Sequence, residues 1–183
     1  MANDLWRTPS QVINYIEGRF GEIKLDLCAS DAGHVCDNYL TEEDDFLDNT
    51  WLRKNSLLRI GDLAWLNPPY SNPLPFVKQA VEWAKYGYAV AGILNHDTST
   101  KWFVELQKHA TVLMPILGGR ISFLDADGVA IKGNNKPQVM FYISPYCPSV
   151  QTTEYVDITE IYAKNTDNNS DKYITWAFSE KTI

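Results

Sequence analysis

The feature that most constrains the fold is the alternation of short apolar runs with amphipathic segments. Residues 88–94 (YAVAGIL) are uninterruptedly apolar, which is typical of a strand buried on both faces of a parallel sheet. Residues 63–66 (LAWL) form a second run that ends at a rigid, proline-containing turn.

Further strands are predicted at 22–27, 111–116, 120–123 and 139–144. Helices are predicted at 10–20, 75–86 and 101–109, the last capped by Thr98 or Ser99. This order predicts an α/β fold: a Rossmann-like, mostly parallel sheet with helices on both faces.

Length and composition predict a single domain followed by a polar appendage. A chain of 183 residues, 45% hydrophobic and 13% aromatic, can bury a substantial core. We assign residues 1–145 to the domain, with a small glycine-containing excursion near 118–136. Residues 146–183 are predicted to be a loosely attached C-terminal appendage, in which 155–162 and 172–178 form a hairpin.

The formal net charge of −7 excludes a simple architectural nucleic-acid binder, because such a protein needs cations to meet phosphates. This net charge is compatible with an enzyme that has one basic face, since basic residues outnumber acidic ones between residues 101 and 136. No secretory signal and no apolar run of about 20 residues is found, so we expect no membrane association. The expected location is the cytoplasm.

Three cysteines cannot form a complete set of disulfides, which indicates a reducing compartment. Cys28, His34 and Cys36 lie close together in sequence but lack C-x-x-C spacing and an evident fourth ligand. We therefore predict no metal site. His96-Asp97 follows an apolar strand, but no G-x-S-x-G elbow accompanies it, so a hydrolase is not predicted.

The most informative motif is Asn67-Pro68-Pro69-Tyr70, directly after the 63–66 run. In open α/β sheets, ligands bind outside the carboxyl ends of the strands. The Asn67 side-chain oxygen and the Pro68 carbonyl are two adjacent acceptors, and proline nitrogens offer no competing N–H. Such a pair suits an amino group, whose nitrogen lone pair it would direct toward an electrophile. Tyr70 offers a ring on which a base can stack.

A base inside a duplex cannot reach such a pocket, so this chemistry implies base flipping. No strong general base is required, because the amino group loses its proton after methyl transfer has begun. Catalysis would come from orientation and electrostatics. On local sequence alone, the motif could also be no more than a stiff turn.

The motif resembles the (D/N/S)-P-P-(Y/F/W) signature of DNA amino-methyltransferases. The chain as a whole resembles the phage-type DNA N-6-adenine methyltransferases, often called the phage Dam family, from about Trp6 to Tyr142. The pieces that carry the resemblance occur in this order: Trp6-Arg7-Thr8-Pro9, Leu25-Asp26-Leu27-Cys28-Ala29-Ser30, Asp45-Phe46-Leu47, Trp65-Leu66-Asn67-Pro68-Pro69-Tyr70-Ser71 and Gly119-Arg120-Ile121-Ser122-Phe123. The resemblance implies a class I methyltransferase that uses S-adenosylmethionine and methylates N6 of adenine in double-stranded DNA.

The resemblance also implies a cofactor site. Thr8-Pro9 resembles an element that holds the methionine end of the cofactor, although Thr8 and Pro9 equally suit a helix N-terminus. Asp26 would meet the methionine ammonium, or would cap the turn that follows the strand. Cys28, Ala29 and Ser30 form the first loop, where small residues replace the glycines of many methyltransferases. Asp45 and Phe46 resemble an adenosine-binding D-F element, with Asp44 as the alternative carboxylate, and the same acidic run could be only a solvated surface. Asn67 of the motif is also predicted to contact the cofactor. The acidic residue expected at the ribose is not placed.

The candidate DNA contacts lie beside the motif and in the basic excursion: Ser71, Arg120, Lys132, Asn134, Asn135 and Lys136. They could equally belong to an ordinary polar hairpin tip. Two alternative functions remain open. The motif itself does not distinguish adenine N6 from cytosine N4, and a non-catalytic binding module could retain the same fold.

Overall fold

The computed structural model describes residues 6–48, 58–125, 127–131, 134–145 and 151–163. Its centre is a seven-stranded sheet. The strands are β1 (Ile23–Asp26), β2 (Leu63–Leu66), β3 (Ala89–Asn95), β4 (Val112–Leu117), β5 (Gln138–Ile143), β6 (Thr152–Thr153) and β7 (Val156–Asp157). The helices are α1 (Ser10–Phe20), α2 (Leu74–Lys85), α3 (Lys101–His109) and α4 (Ile158–Tyr162).

The sheet has the order β1-β2-β3-β5-β4-β6, and β7 also pairs with β4. Strand β5 runs antiparallel to both of its neighbours, β3 and β4. The other ladders, β1–β2, β2–β3, β4–β6 and β4–β7, are parallel. The predicted mostly parallel α/β sheet is therefore confirmed, with one antiparallel strand inserted into it.

Helices cover both faces of the sheet, as predicted. Alternate residues of β2 serve the two faces: Trp65 belongs to the core cluster under α1, and Leu66 to the cluster under α2 and α3. The α1 side buries Val12, Ile13 and Ile16 and also receives Ile161 of α4. The alternation of β2 places two apolar layers around one strand, so the strand end that carries Asn67 is fixed from both sides.

Gly92 sits where β3 is most crowded. A β-carbon at this position would lie 2.3 Å from the Leu66 carbonyl oxygen and 2.5 Å from Cζ of Phe141. Glycine therefore allows β2, β3 and the Phe141 ring of β5 to approach closely, directly before the motif at the end of β2.

The strand predicted at 120–123 and the predicted cap of α3 were wrong. Residues 120–123 do not form a strand: Ile121 and Phe123 are buried, but Ile121 N–H donates to the side chain of Gln138 at 3.0 Å and not to the backbone of a strand. The cap of α3 is Thr100, whose hydroxyl accepts from Phe103 N–H at 3.3 Å. Ser99 lies one residue before the cap, and its hydroxyl donates to Asp97 at 2.6 Å.

The described part of the predicted appendage is joined to the sheet. Residues 151–163 contain β6, β7 and α4, and Val156 and Ile161 are buried. Asp157 caps α4 with a capping box that it forms with Glu160. The predicted hairpin arm at 155–162 is thus wrong, since a two-residue strand leads straight into a helix; 172–178 lie outside the described residues. The boundary at residue 145 stays a prediction. Among the described residues, no helix is long and apolar enough to cross a membrane.

Candidate active site

The candidate site lies at the carboxyl end of β1, where the chain first runs along one edge of this strand and then returns to pair with its other edge. Residues 38–40 run along the outer edge of β1: Asp26 N–H donates to Asn38 O at 3.0 Å, and Leu40 N–H donates to Asp26 O at 2.8 Å. Strand β2 lies on the other side of β1. The chain leaves β1 toward one side and returns on the other, which opens a crevice at the carboxyl ends of β1 and β2.

A cavity of about 440 Å³ occupies this crevice, between α1, the N-terminal segment and the loop after β1. Six of the residues predicted for the cofactor site line it: Thr8, Asp26, Cys28, Ala29, Ser30 and Asn67. Its size is that of a pocket for a drug-sized ligand. Trp65 also lines the cavity, and its buried indole N–H has no hydrogen-bond partner among the described residues.

Asn67 is held by the N-terminal segment. Its amide nitrogen donates to the Trp6 carbonyl oxygen at 3.2 Å and to the Thr8 hydroxyl oxygen at 3.3 Å. Both hydrogens of the amide are thus engaged. The Asn67 Oδ1 lies at the opposite end of the amide and is directed away from these partners, which leaves it able to accept a further hydrogen bond.

The hydroxyl end of Tyr70 lies in the protein interior. That hydroxyl is buried without a hydrogen-bond partner among the described residues, and burial raises the pKa of Tyr70 far above its usual value. The ring stands edge-on to Phe123, with 6.0 Å between centroids and 82° between planes. Phe123 in turn packs against Trp6 at 5.7 Å. The neutral, inward hydroxyl leaves the ring and backbone as the partly exposed portion of Tyr70.

Asp26 is a buried carboxylate in the cavity wall, only 4% exposed. Its oxygens accept from Cys28 N–H at 3.3 Å and from Val35 N–H at 3.1 Å, so it does cap the turn after β1. Burial raises its pKa from 3.8 to about 6, and the two backbone hydrogen bonds only partly offset this. A buried acid with a raised pKa beside a cavity is a feature of functional sites.

The loop after β1 is a tight turn. Ser30 and Gly33 exchange two backbone hydrogen bonds of 3.1 and 2.9 Å, and Ala29 N–H donates to Leu40 O at 2.8 Å. Burial and the nearby Asp26 raise the pKa of the Cys28 thiol well above its usual value, so Cys28 remains a neutral thiol. No group of three metal-ligating side chains occurs in the part of the chain that the structure describes.

Arg7 lines the cavity, although no role was predicted for it. Its backbone exchanges hydrogen bonds of 2.8 and 2.9 Å with Leu124, which follows the Gly119–Phe123 piece. Its side chain crosses Gly33 so closely that a β-carbon there would lie 2.8 Å from Nε and 2.9 Å from Cγ. No local sequence pattern connects positions 7, 33 and 124, so these contacts could not be predicted. The cavity is lined by one arginine, Arg7, and by two acids, Asp26 and Glu17, of which Glu17 accepts from the Ile23 N–H at 3.0 Å.

The predicted adenosine element does not line the cavity. Phe46 is buried in the core under α2, 5.2 Å from Trp83 and 6.3 Å from Phe76 between ring centroids. Asp45 is exposed, has a φ of 49° and accepts from Leu47 N–H at 3.0 Å. The alternative, Asp44, accepts from the backbone and hydroxyl of Thr41 at 2.8 and 3.0 Å. Pro9 is buried ahead of α1 and does not line the cavity either.

The predicted DNA contacts divide into two groups. Ser71, Arg120, Asn135 and Lys136 are exposed. Asn134 instead holds the backbone: its amide donates to Ile121 O at 3.0 Å, and its Oδ1 accepts from Lys136 N–H at 3.3 Å. Lys132 lies outside the described residues. The whole DNA-contact set therefore stays a prediction.

The open α/β sheet, with a strand-end asparagine in the wall of a cavity at the carboxyl ends of β1 and β2, is consistent with a class I methyltransferase-like fold. The model of the DNA N-6-adenine-methyltransferase (Dam) family matches residues 1–171. The chain belongs to this family. It is 35% identical over 176 residues to a DNA N-6-adenine-methyltransferase of Escherichia phage T1, covering 87% of this chain and 71% of that protein. It is also 35% identical over 165 residues to one of Haemophilus phage HP1 (strain HP1c1), covering 88% and 91% respectively. No solved structure was found to match the chain.

Proposed function

We propose that the protein transfers a methyl group from S-adenosylmethionine to N6 of adenine in double-stranded DNA, in the cytoplasm of a bacterial or phage-infected cell. The observation that carries the proposal is the orientation of Asn67. Its amide nitrogen is engaged by Trp6 and Thr8, so its oxygen is presented as an acceptor at the end of β2, beside the cavity. Family membership favours adenine N6 over cytosine N4.

The charges of the cavity suit the amino-acid end of the donor. A zwitterion needs an anion for its ammonium and a cation for its carboxylate, and the walls carry Asp26 and Arg7. Thr8 and the N-terminal end of α1 add polar hydrogens on the carboxylate side. Cys28, Ala29 and Ser30 are small enough to let a ligand approach the loop backbone. When bound, the donor supplies an electrophilic methyl group.

For the acceptor, Asn67 Oδ1 and the Pro68 carbonyl would accept the two amino hydrogens of a flipped adenine. The rigid Pro68-Pro69 backbone fixes the distance between these acceptors. The Tyr70 ring would stack on the base, and its edge-on contact with Phe123 would hold it in place. Ser71, Arg120, Asn135 and Lys136 would contact the surrounding DNA from their exposed positions.

Transfer of labelled methyl from S-adenosylmethionine to unmethylated duplex DNA tests the function. We expect nucleoside analysis of the product to give N6-methyladenine. A product with only N4-methylcytosine would overturn the adenine assignment. A protein that binds S-adenosylmethionine but methylates no DNA would favour the binding-module alternative. A protein that does not bind S-adenosylmethionine would also contradict the proposed methyl donor.

Arg7 provides a separate prediction about the donor. We expect Arg7→Ala to weaken binding of S-adenosylhomocysteine about tenfold, because a charge-assisted hydrogen bond to the carboxylate is lost. Binding of 5′-methylthioadenosine, which has the same nucleoside but no amino-acid end, should stay unchanged. Titration calorimetry of both ligands measures the difference. Equal weakening of the two ligands would show that Arg7 supports the cavity in general and does not bind the carboxylate.

Gly33→Ala serves as the matched variant for Arg7. The new β-carbon would push the Arg7 side chain aside, so Gly33→Ala should also weaken S-adenosylhomocysteine binding. Adding Gly33→Ala to Arg7→Ala should then cost little more, because both changes act on one side chain. Gly18→Ala is the control, since a β-carbon on Gly18 meets nothing within 4 Å. Fully additive losses would contradict the Arg7 role.

A further inference from the structure

We propose that Thr8 is a positioning residue for the acceptor side of the reaction: its hydroxyl oxygen holds the Asn67 amide in the orientation that methyl transfer requires. The proposal deepens the proposed function and rests on it. The role predicted for Thr8 from the sequence is to bind the cofactor. In the role proposed here, the hydroxyl oxygen accepts a hydrogen bond from Asn67 and thereby affects the rate of the chemical step.

The geometry gives the Asn67 amide one favourable orientation. The amide nitrogen lies 3.2 Å from the Trp6 carbonyl oxygen and 3.3 Å from Thr8 Oγ1. A flipped amide would turn its oxygen toward the Trp6 carbonyl, which has no hydrogen to donate. Trp6 therefore decides which end of the amide faces the N-terminal segment. Thr8 holds the second amide hydrogen and so restrains rotation about the last side-chain bond of Asn67.

Both partners of the Asn67 amide, Trp6 and Thr8, are held in place by their neighbours. The Trp6 ring packs against Phe123 at 5.7 Å, and the next residue, Arg7, is paired through its backbone with Leu124. Thr8 is half-buried, directly ahead of Pro9 and α1. Fixed neighbours on both sides hold the Thr8 backbone in place, so the position of its hydroxyl oxygen depends mainly on one side-chain rotation.

The Thr8 hydroxyl can serve both substrates at once. A hydroxyl accepts through its lone pairs and donates through its one hydrogen. When it accepts from Asn67, its own hydrogen stays available to the cavity that Thr8 lines, where the donor carboxylate would bind. The same side chain thereby connects the donor cavity with the asparagine that orients the acceptor.

The test compares Thr8→Val, which keeps the shape but removes the hydroxyl, with Thr8→Ser, which keeps the hydroxyl. We expect Thr8→Val to lower the single-turnover rate of N6-adenine methylation about five- to tenfold at saturating donor and DNA, the loss expected for one hydrogen bond. Thr8→Ser should stay within about twofold of the natural protein. Thr153→Val, the same change at an exposed position of β6, should leave the rate unchanged.

Saturation with donor separates this role from cofactor binding. A Thr8→Val protein that only binds the donor more weakly, with an unchanged rate at saturation, would overturn the positioning role. A Thr8→Ser protein as slow as Thr8→Val would also overturn it, because the hydroxyl would then not be the active feature. If the natural protein methylates no adenine, the proposed function falls together with this inference; if it does, and Thr8→Val is equally fast, only the inference falls.

Discussion

Asn67→Ala should lower the rate of methyl transfer to adenine by about 10³-fold. The substitution removes the acceptor oxygen that we propose orients the target amino group, and it leaves the hydrophobic core intact because Asn67 lies beyond the end of β2. The affinity for S-adenosylhomocysteine should change less than about threefold, since the proposed charged donor contacts at Asp26 and Arg7 remain. Single-turnover kinetics with labelled donor and calorimetry on the same protein measure the two quantities.

Asn67→Asp is the matched variant for this experiment. A carboxylate keeps an acceptor oxygen but cannot donate to Trp6 or Thr8, so its second oxygen would face the Trp6 carbonyl. We expect a rate between those of the natural protein and Asn67→Ala. An Asn67→Ala protein that methylates adenine at the natural rate would show that the strand-end acceptor has no part in catalysis.

Elements that depend on local pattern could be predicted from the sequence. The bounds of α1 and α3 were predicted residue for residue, because an apolar stripe at helical spacing and the flanking residues define each helix where it occurs. Strands β2 and β3 were also predicted, since each is an apolar run that an asparagine follows or ends, and two prolines come directly after Asn67. The antiparallel direction of β5 was not, because strand direction depends on the path of the whole chain.

The candidate site could be predicted in part for the same reason. The chemistry of Asn67 follows from its neighbours in sequence, and Asp26 follows from its place at the end of a strand. The clamp on Asn67 joins positions 6, 8 and 67, which no local pattern connects. Asp45-Phe46 shows the opposite limit: the motif suggested a ligand contact, but the Phe46 ring is buried against Trp83. An aromatic residue beside a carboxylate fits a core as well as a purine site, and only the fold separates the two.

The raised pKa of Asp26 gives the donor site a pH dependence with a defined sign. Folding moves this pKa from 3.8 to about 6, so the stability contribution of the carboxyl is greatest at low pH and is lost as the pH rises from about 4 to about 6. A bound donor ammonium would lower the pKa of Asp26, because it stabilises the ionised carboxylate. Donor binding should therefore release a proton from Asp26 below pH of about 6, where the free protein holds the acid neutral.

We accordingly expect the affinity for S-adenosylhomocysteine to be constant between about pH 7 and 8 and to fall about tenfold for each pH unit below 6. Asp26→Asn should weaken binding about 30- to 100-fold at pH 7.5, as expected for loss of a charged hydrogen-bond partner, and should remove the decline at low pH. His34→Gln changes a neighbouring residue of the cavity wall that interacts electrostatically with the Asp26 carboxyl, and this variant should retain the decline. Calorimetry across this range decides the matter: an Asp26→Asn protein with the same affinity and the same pH profile as the natural one would exclude Asp26 as the partner of the donor ammonium.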